Sequence, residues 1–328
     1  MKLAVLGAGA WGTAISISLA PRHAVTLWAR DPAQARDIAA TRINEAYLPG
    51  FTIPSSVSIT ADLKTALEHT ELLLIATPTA GLRSVLKQLA AAGTVPPLIW
   101  LCKGFEAESA RLPHQIAAQE LTPPSARAVL SGPSFALEVA RGSPTALTLA
   151  SSDVAFTQRF ARQLHHDRLR IYSSDDIAGV EIAGALKNVM AIASGISDGL
   201  GLGFNARAAL ITRGLAEITR MGLRLGGKMA TFMGLAGIGD LVLTCTGDLS
   251  RNRRVGLELA RGVPLEQILT QLGHVAEGVY TARAVSRLAD ELRVDMPITR
   301  AVRRVMDERV PALAAVQELL LRDPKAER

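Results

Sequence analysis

Between Ile177 and Ile196 only Glu181, Lys187, Asn188 and Ser194 are clearly polar, a composition that predicts a helix buried nearly all round. An ammonium in such a helix needs a partner or a ligand, because burying it alone is costly. Same-face neighbours of Lys187 at helical spacing are Ala183, Gly184, Ala191 and Ser194, all small enough to leave room beside it. A lysine so placed can exchange a proton with a reacting oxygen. The alternatives are a side chain that snorkels to the surface or one paired structurally with an acid. Asp240 is a candidate partner, or equally a helix cap.

A second cluster of chemistry-bearing residues is Ser250-Arg251-Asn252-Arg253-Arg254, followed by an apolar-periodic run to Ala260 and by Gly262. Ser250 reads as an N-cap. Three arginines in a first helical turn are repelled by the helix dipole, and a bound dianion reverses that penalty. Backbone N–H groups with Arg251 and Asn252 would then make a phosphate site, against the alternative of a solvated basic face. Twelve of the 27 glycines fall between Gly195 and Gly247, which implies sharp turns or close backbone approach nearby.

The third constellation is Gly7-Ala8-Gly9-Ala10-Trp11-Gly12, placed after an apolar strand and at the start of a helix expected from Trp11 to Ala20. Gly7 permits the turn, Gly9 lets a pyrophosphate approach backbone N–H groups, and Gly12 lets the helix pack close on the strand. After the next strand comes Trp28-Ala29-Arg30-Asp31. Arg30 suits a 2′-phosphate, whereas Asp31 suits a cap for the next helix, so NADPH is favoured and NADH stays possible. Lys103 directly follows a strand, at the carboxyl edge where parallel sheets bind ligands. Pro133, after Ser131-Gly132 and beside Ser134, is expected at the first position of another helix.

The elements that must position these residues change character along the chain. Apolar runs at Lys2 to Leu6, Ala24 to Trp28, Leu72 to Thr77, Leu98 to Cys102, Arg127 to Leu130 and Thr145 to Ala150 alternate with helical patterns. That rhythm predicts an α/β fold: a Rossmann-type domain with a mainly parallel sheet over residues 1–176. From 177 to 328 the strand signal fades, and an all-helical substrate domain is expected. The chain carries a net charge of +6, from 36 Lys+Arg against 30 Asp+Glu, so small phosphorylated ligands suit it. Scattered basic residues and only 4% aromatic content argue against nucleic acid. Two distant cysteines and six histidines without metal-ligand spacing leave no metal site and fit a reducing cytoplasm. Residues 1–20 read as folded protein, not as a signal peptide, and charges or breakers interrupt each apolar stretch that might span a membrane.

Taken in order, the glycine string, Trp28-Ala29-Arg30-Asp31-Pro32, Tyr47-Leu48-Pro49-Gly50, Lys103-Gly104, Ser131-Gly132-Pro133-Ser134-Phe135-Ala136, Leu186-Lys187-Asn188, Gly239-Asp240-Leu241 and Ser250-Arg251-Asn252 resemble the bacterial NAD(P)-dependent glycerol-3-phosphate dehydrogenases. The resemblance covers nearly everything from residue 2 to about 310. It implies reduction of dihydroxyacetone phosphate to sn-glycerol 3-phosphate, for phospholipid synthesis, by a cytoplasmic homodimer. Lys187 is implied as proton donor and acceptor, with Lys103, Gly132, Ser134, Asn188, Asp240, Ser250, Arg251 and Asn252 around the substrate. Gly7, Gly9, Trp11, Gly12, Arg30, Lys103, Ala136, Arg251, Val275 and Glu277 are implied near the cofactor. The rival readings are an NADP-dependent reductase of another β-hydroxy or 2-keto acid, which needs no phosphate site, and a non-catalytic dinucleotide-binding protein.

Overall fold

A computed structural model of the chain describes residues 1–93, 95–121, 126–273 and 276–322. Ten strands form in chain order: β1 (Lys2–Leu6), β2 (Ala24–Trp28), β3 (Ile43–Asn44), β4 (Leu48–Thr52), β5 (Ser58–Thr60), β6 (Leu72–Ile75), β7 (Leu98–Trp100), β8 (Arg127–Ser131), β9 (Thr145–Ala150) and β10 (Leu169–Ser174). Eight of them make one sheet in the order β10-β9-β8-β7-β6-β1-β2-β5, and β3 pairs with β4 separately. Every pairing in the large sheet is parallel except β8 with β9. Central strands bury both faces, which is why β6 and β7 read as unbroken apolar runs.

The expected strands are all present, and four more form that composition did not reveal. β5 and β10 are edge strands. Leu169–Ser174 has only one fully buried position, so no apolar run marks it. Ile43–Asn44 is two residues long, and β4 contains Pro49 and Gly50, both poor strand formers. Another difference lies at Pro133, which does not begin a helix. Gly132 turns the chain at φ +141°, and the short helix starts at Ala136, three residues later.

The chain divides into two compact units: Met1–Lys103 with Leu112–Glu181, and Gly104–Arg111 with Ile182–Arg328. The division falls inside the helix Ile177–Gly199 instead of at its start. Its first turn belongs with the sheet because the buried Glu181 accepts hydrogen bonds from Trp100 Nε1 at 2.7 Å, from His114 N at 3.0 Å and from His114 Nδ1 at 2.6 Å. Burial pushes this carboxyl above its ordinary pKa, and the His114 contacts oppose that shift.

Every regular element among the second unit's described residues is a helix. Ile177–Gly199 and the segment Met229–Thr246 are long and apolar enough to pass for membrane spans, but 89% of the former's most apolar window is buried within the protein, as in a core helix. Met229–Thr246 is instead two short helices joined through a π-helical turn at Leu235–Gly239. The helices Ile177–Gly199 and Arg251–Ala260 cross at glycines. A Cβ on Gly195 would lie 2.0 Å from Arg253 O, and one on Gly256 would lie 2.0 Å from Ile192 O. Only glycine at both positions allows so close a crossing.

Candidate active site

In the first unit the glycine string sits at the carboxyl end of β1, between β2 and β6, where strand order reverses. Such a switch point opens a crevice for a ligand. Gly7 takes φ +119°, and a Cβ there would press within 3.0 Å of the Ala76 carbonyl. At Gly12 a Cβ would lie 1.9 Å from Gly7 O, so the helix Ala10–Leu19 can approach its own turn only with glycine. Gly9 has nothing within 4 Å of its missing Cβ, and no side chain caps the helix that it precedes. Uncapped N–H groups at a helix start with open space in front fit a dinucleotide pyrophosphate.

Side chains far off in sequence brace that turn. Asn44, 1% exposed, donates from Nδ2 to Ala8 O at 3.0 Å and to Thr13 Oγ1 at 2.7 Å, and Gln34 Nε2 donates to Ala8 O at 2.8 Å. Leu48 of β4 packs with Ala14 and Val139, and Trp11 and Ala136 flank this small cluster. The structure thus brings Trp11 and Ala136 together, with the Tyr47-Leu48-Pro49-Gly50 hairpin behind them. Asp31 caps the next helix by accepting from Ala33 N at 2.8 Å, while Arg30 is exposed at the end of β2. Lys103 Nζ and Ser134 Oγ both donate to Gly132 O, each at 3.0 Å, which gathers those three expected residues at the carboxyl ends of β7 and β8.

In the second unit Lys187 is 7% exposed, and its Nζ donates to Asp240 Oδ1 and, at 3.0 Å, to Thr244 Oγ1. Asp240 is fully buried, and Thr244 Oγ1 donates to Asp240 O at 2.6 Å. The ammonium is therefore paired and not snorkelling. Gly237 makes the approach possible, since a Cβ there would lie 2.1 Å from Phe232 O in the π-helical turn that leads into Asp240. Buried Cys245 follows, its thiol pushed up to about 12, chiefly by burial.

Next along the lysine helix, Asn188 Oδ1 accepts from Asn252 Nδ2 at 3.0 Å, and Asn252 Oδ1 accepts from Gly278 N at 3.1 Å. Each bond fixes which way the amides face. Ser250 is the N-cap of Arg251–Ala260, accepting from Arg253 N at 3.2 Å. The three arginines separate in role. Arg253 is bound to Asp198 and Asp248, whereas Arg251 and Arg254 keep exposed edges. Surrounding protein draws Arg251 below its ordinary pKa, and the Glu277 carboxylate, at the start of the helix Glu277–Leu292, acts the other way. Val275 lies outside the described residues.

Three braces, Thr244, Asn44 and Gln34, lie outside the candidates that the sequence offers. Thr244 stands four residues after Asp240 on one helix face, a spacing that would have pointed to it. Nothing local marks Asn44, whose role depends on a hairpin return. Among the described residues no group of three or more His, Cys, Asp or Glu is placed to hold a metal.

Comparison with known proteins adds a family. A sequence model described as the NAD-dependent glycerol-3-phosphate dehydrogenase N-terminus matches residues 2–157, and one described as the C-terminus of the same enzyme matches residues 176–317. A glycerol-3-phosphate dehydrogenase (NAD(P)+) from Dechloromonas aromatica is 58% identical across 100% of this chain and 99% of its own. One from Thiobacillus denitrificans is 59% identical across 100% of both. A crystal structure of glycerol-3-phosphate dehydrogenase from Coxiella burnetii matches with a TM-score of 0.94 at 43% identity, over 98% of this chain and 99% of that one.

Proposed function

The chain belongs to the NAD-dependent glycerol-3-phosphate dehydrogenase family, an oxidoreductase family, and on that premise we propose how its own residues interconvert dihydroxyacetone phosphate and sn-glycerol 3-phosphate with NAD(P). The observation that carries the proposal is Lys187, a nearly buried ammonium held by Asp240 and Thr244 beside the linked amides Asn188 and Asn252.

The nicotinamide, when bound, supplies or accepts the hydride at the substrate carbon. Charge then develops on the substrate oxygen, and Lys187 gives that oxygen a proton or withdraws one in reverse. Asp240 and Thr244 fix where the ammonium sits. Asn188 and Asn252 orient the substrate, and Arg251 with the Ser250-capped helix start holds its phosphate. Binding at that remote group lowers the barrier by fixing the carbonyl in reach of its proton donor. The family resemblance assigns Lys103, Gly132 and Ser134 to the substrate. Gly7, Gly9, Gly12, Trp11, Arg30 and Ala136 serve the dinucleotide, and the same resemblance assigns Arg251, Val275 and Glu277 to it as well.

With Asp31 engaged as a cap, Arg30 is the side chain at the end of β2 suited to a 2′-phosphate, which favours NADPH. Cytoplasmic location, a homodimer and supply of the phospholipid backbone belong to the same family reading. Light scattering at about twice 34.7 kDa would support the dimer, and the monomer mass would refute it. The direct test is nicotinamide absorbance with dihydroxyacetone phosphate against unphosphorylated dihydroxyacetone. Turnover confined to the phosphorylated ketone is expected, and equal turnover would overturn the phosphate site.

A further inference from the structure

One stripe of the helix Ile177–Gly199 carries Lys187, Ser194 and Asp198, seven and then four residues apart, so all three point the same way. Each grips a different part of what packs there. Lys187 holds Asp240 and Thr244, and Ser194 Oγ donates to Cys245 O at 2.8 Å. Asp198 Oδ2 accepts from Arg253 Nε at 2.9 Å and Nη2 at 2.7 Å, and from Arg207 Nη1 at 3.0 Å. All three side chains of this last group are at least four-fifths buried, with 13%, 12% and 16% exposure for Asp198, Arg253 and Arg207.

The geometry points to Asp198 as a positioning residue for phosphate recognition: it holds Arg253, and through it the first turn of Arg251–Ala260, in the register that presents Arg251 and Asn252. Arg253 is the third residue of that helix, and its backbone N–H is already tied to the Ser250 cap. Its side chain is thus the handle by which the turn is fixed to the end of the lysine helix. Because Arg253 Nε and Nη2 both donate to Asp198 Oδ2, the guanidinium is fixed in orientation as well as distance, and losing the carboxylate charge loosens Arg253 and with it the turn. Gly195 and Gly256 bring the two helices close enough for the grip, and neither can be replaced by a larger residue without moving the turn.

This inference rests on the phosphate reading of Arg251, so the experiment separates the two. KM and kcat for dihydroxyacetone phosphate, KM for NADPH and melting temperature are measured on the full chain for Asp198→Asn, Asp198→Glu, Arg253→Lys, Asp248→Asn and Arg251→Ala. Expected for Asp198→Asn is a rise in KM of about tenfold for the phosphorylated ketone, with kcat and the NADPH KM nearly unchanged. Asp198→Glu should recover part of the loss. Arg253→Lys, which keeps the charge and loses the fork, should repeat the effect more mildly, and it carries the test if Asp198→Asn does not fold. Asp248 is 94% exposed, and its replacement should change nothing. If Arg251→Ala leaves KM unchanged, the phosphate reading fails. If Arg251→Ala raises KM while folded Asp198→Asn and Arg253→Lys do not, or lower only the melting temperature, the positioning role is overturned.

Discussion

On the proposed reading, the two units build their sites from different materials. In the first, the residues offered to a ligand are mostly backbone: a turn of three glycines at the end of β1, braced from below by Asn44 and Gln34. In the second they are side chains delivered by separate helices, as Lys187 and Asp240 are at a separation of 53 positions. A backbone site is robust to most substitutions except those that add a Cβ. A side-chain site depends on each group and on the crossings that gather them.

The strongest break of that contrast is Lys187→Ala. It should lower kcat by about 10² to 10⁴, the usual worth of a positioned general acid, while leaving NADPH titration almost untouched. A folded variant with near-normal single-turnover rate would reduce Lys187 to a structural residue.

Paired glycine substitutions sharpen the comparison. Gly12→Ala places a methyl 1.9 Å from Gly7 O and should weaken NADPH binding by roughly a hundredfold, through a displaced helix start. Gly256→Ala, 2.0 Å from Ile192 O, should leave NADPH binding intact, raise KM for the ketone and destabilise the fold by about 1–3 kcal/mol through overpacking. Fluorescence titration and thermal melts measure both. Should the two variants show the same profile, the division of labour would be wrong.

A smaller change is expected from Arg30→Asp, which removes a 2′-phosphate partner and supplies a hydroxyl acceptor. The NADPH-to-NADH ratio of kcat/KM should fall by about tenfold or more. An unchanged ratio would make Arg30 a bystander on the surface.

The least effect on turnover should come from pH acting on Glu217. This buried carboxyl accepts from Ile298 N at 2.6 Å and from Thr299 N and Oγ1 at 3.2 Å, yet burial outweighs those bonds and raises its pKa from 4.5 to about 7. The folded chain therefore holds this proton more tightly than the unfolded chain does. Its contribution to stability is complete below pH 4.5 and is lost as pH rises through about 7. Melting temperature should show a falling component across that window, and Glu217→Gln, which keeps an acceptor oxygen, should flatten it. A slope unaffected by that substitution would assign the pH dependence elsewhere.

The same contrast explains what could be read without coordinates. The glycine string, the cap at Ser250 and the anomaly of Lys187 are local patterns, and a local pattern announces itself. Asp240 was a candidate with two equal roles, and only the fold decides for the contact with Lys187. Asn44 and Asp198 gain their roles from residues 36 and 55 positions away, as bonds to Ala8 and Arg253, and no window of sequence contains both partners, whereas Thr244, bonded to Lys187 57 positions away, has a local mark in its spacing from Asp240. The edge strands β5 and β10 stayed hidden for a different reason. One-sided burial leaves too few apolar residues to form a run. At Pro133 a general preference for helix starts lost to a specific turn at Gly132.

Glu181 has a practical consequence for anyone wishing to divide the molecule. A cut before Ile177 looks natural, since the last strand ends at Ser174 and a new helix begins there. The fragment so produced would lack the acceptor for Trp100 Nε1 and His114 N, leaving an indole donor without its partner in a fully buried position. Extending the fragment past Glu181 restores the acceptor, but it ends in the middle of an apolar helix that continues to Gly199 with nothing to cover it. Neither half is a portable cassette, and a chimaera that exchanges the dinucleotide portion must carry the opening turn of the lysine helix with it.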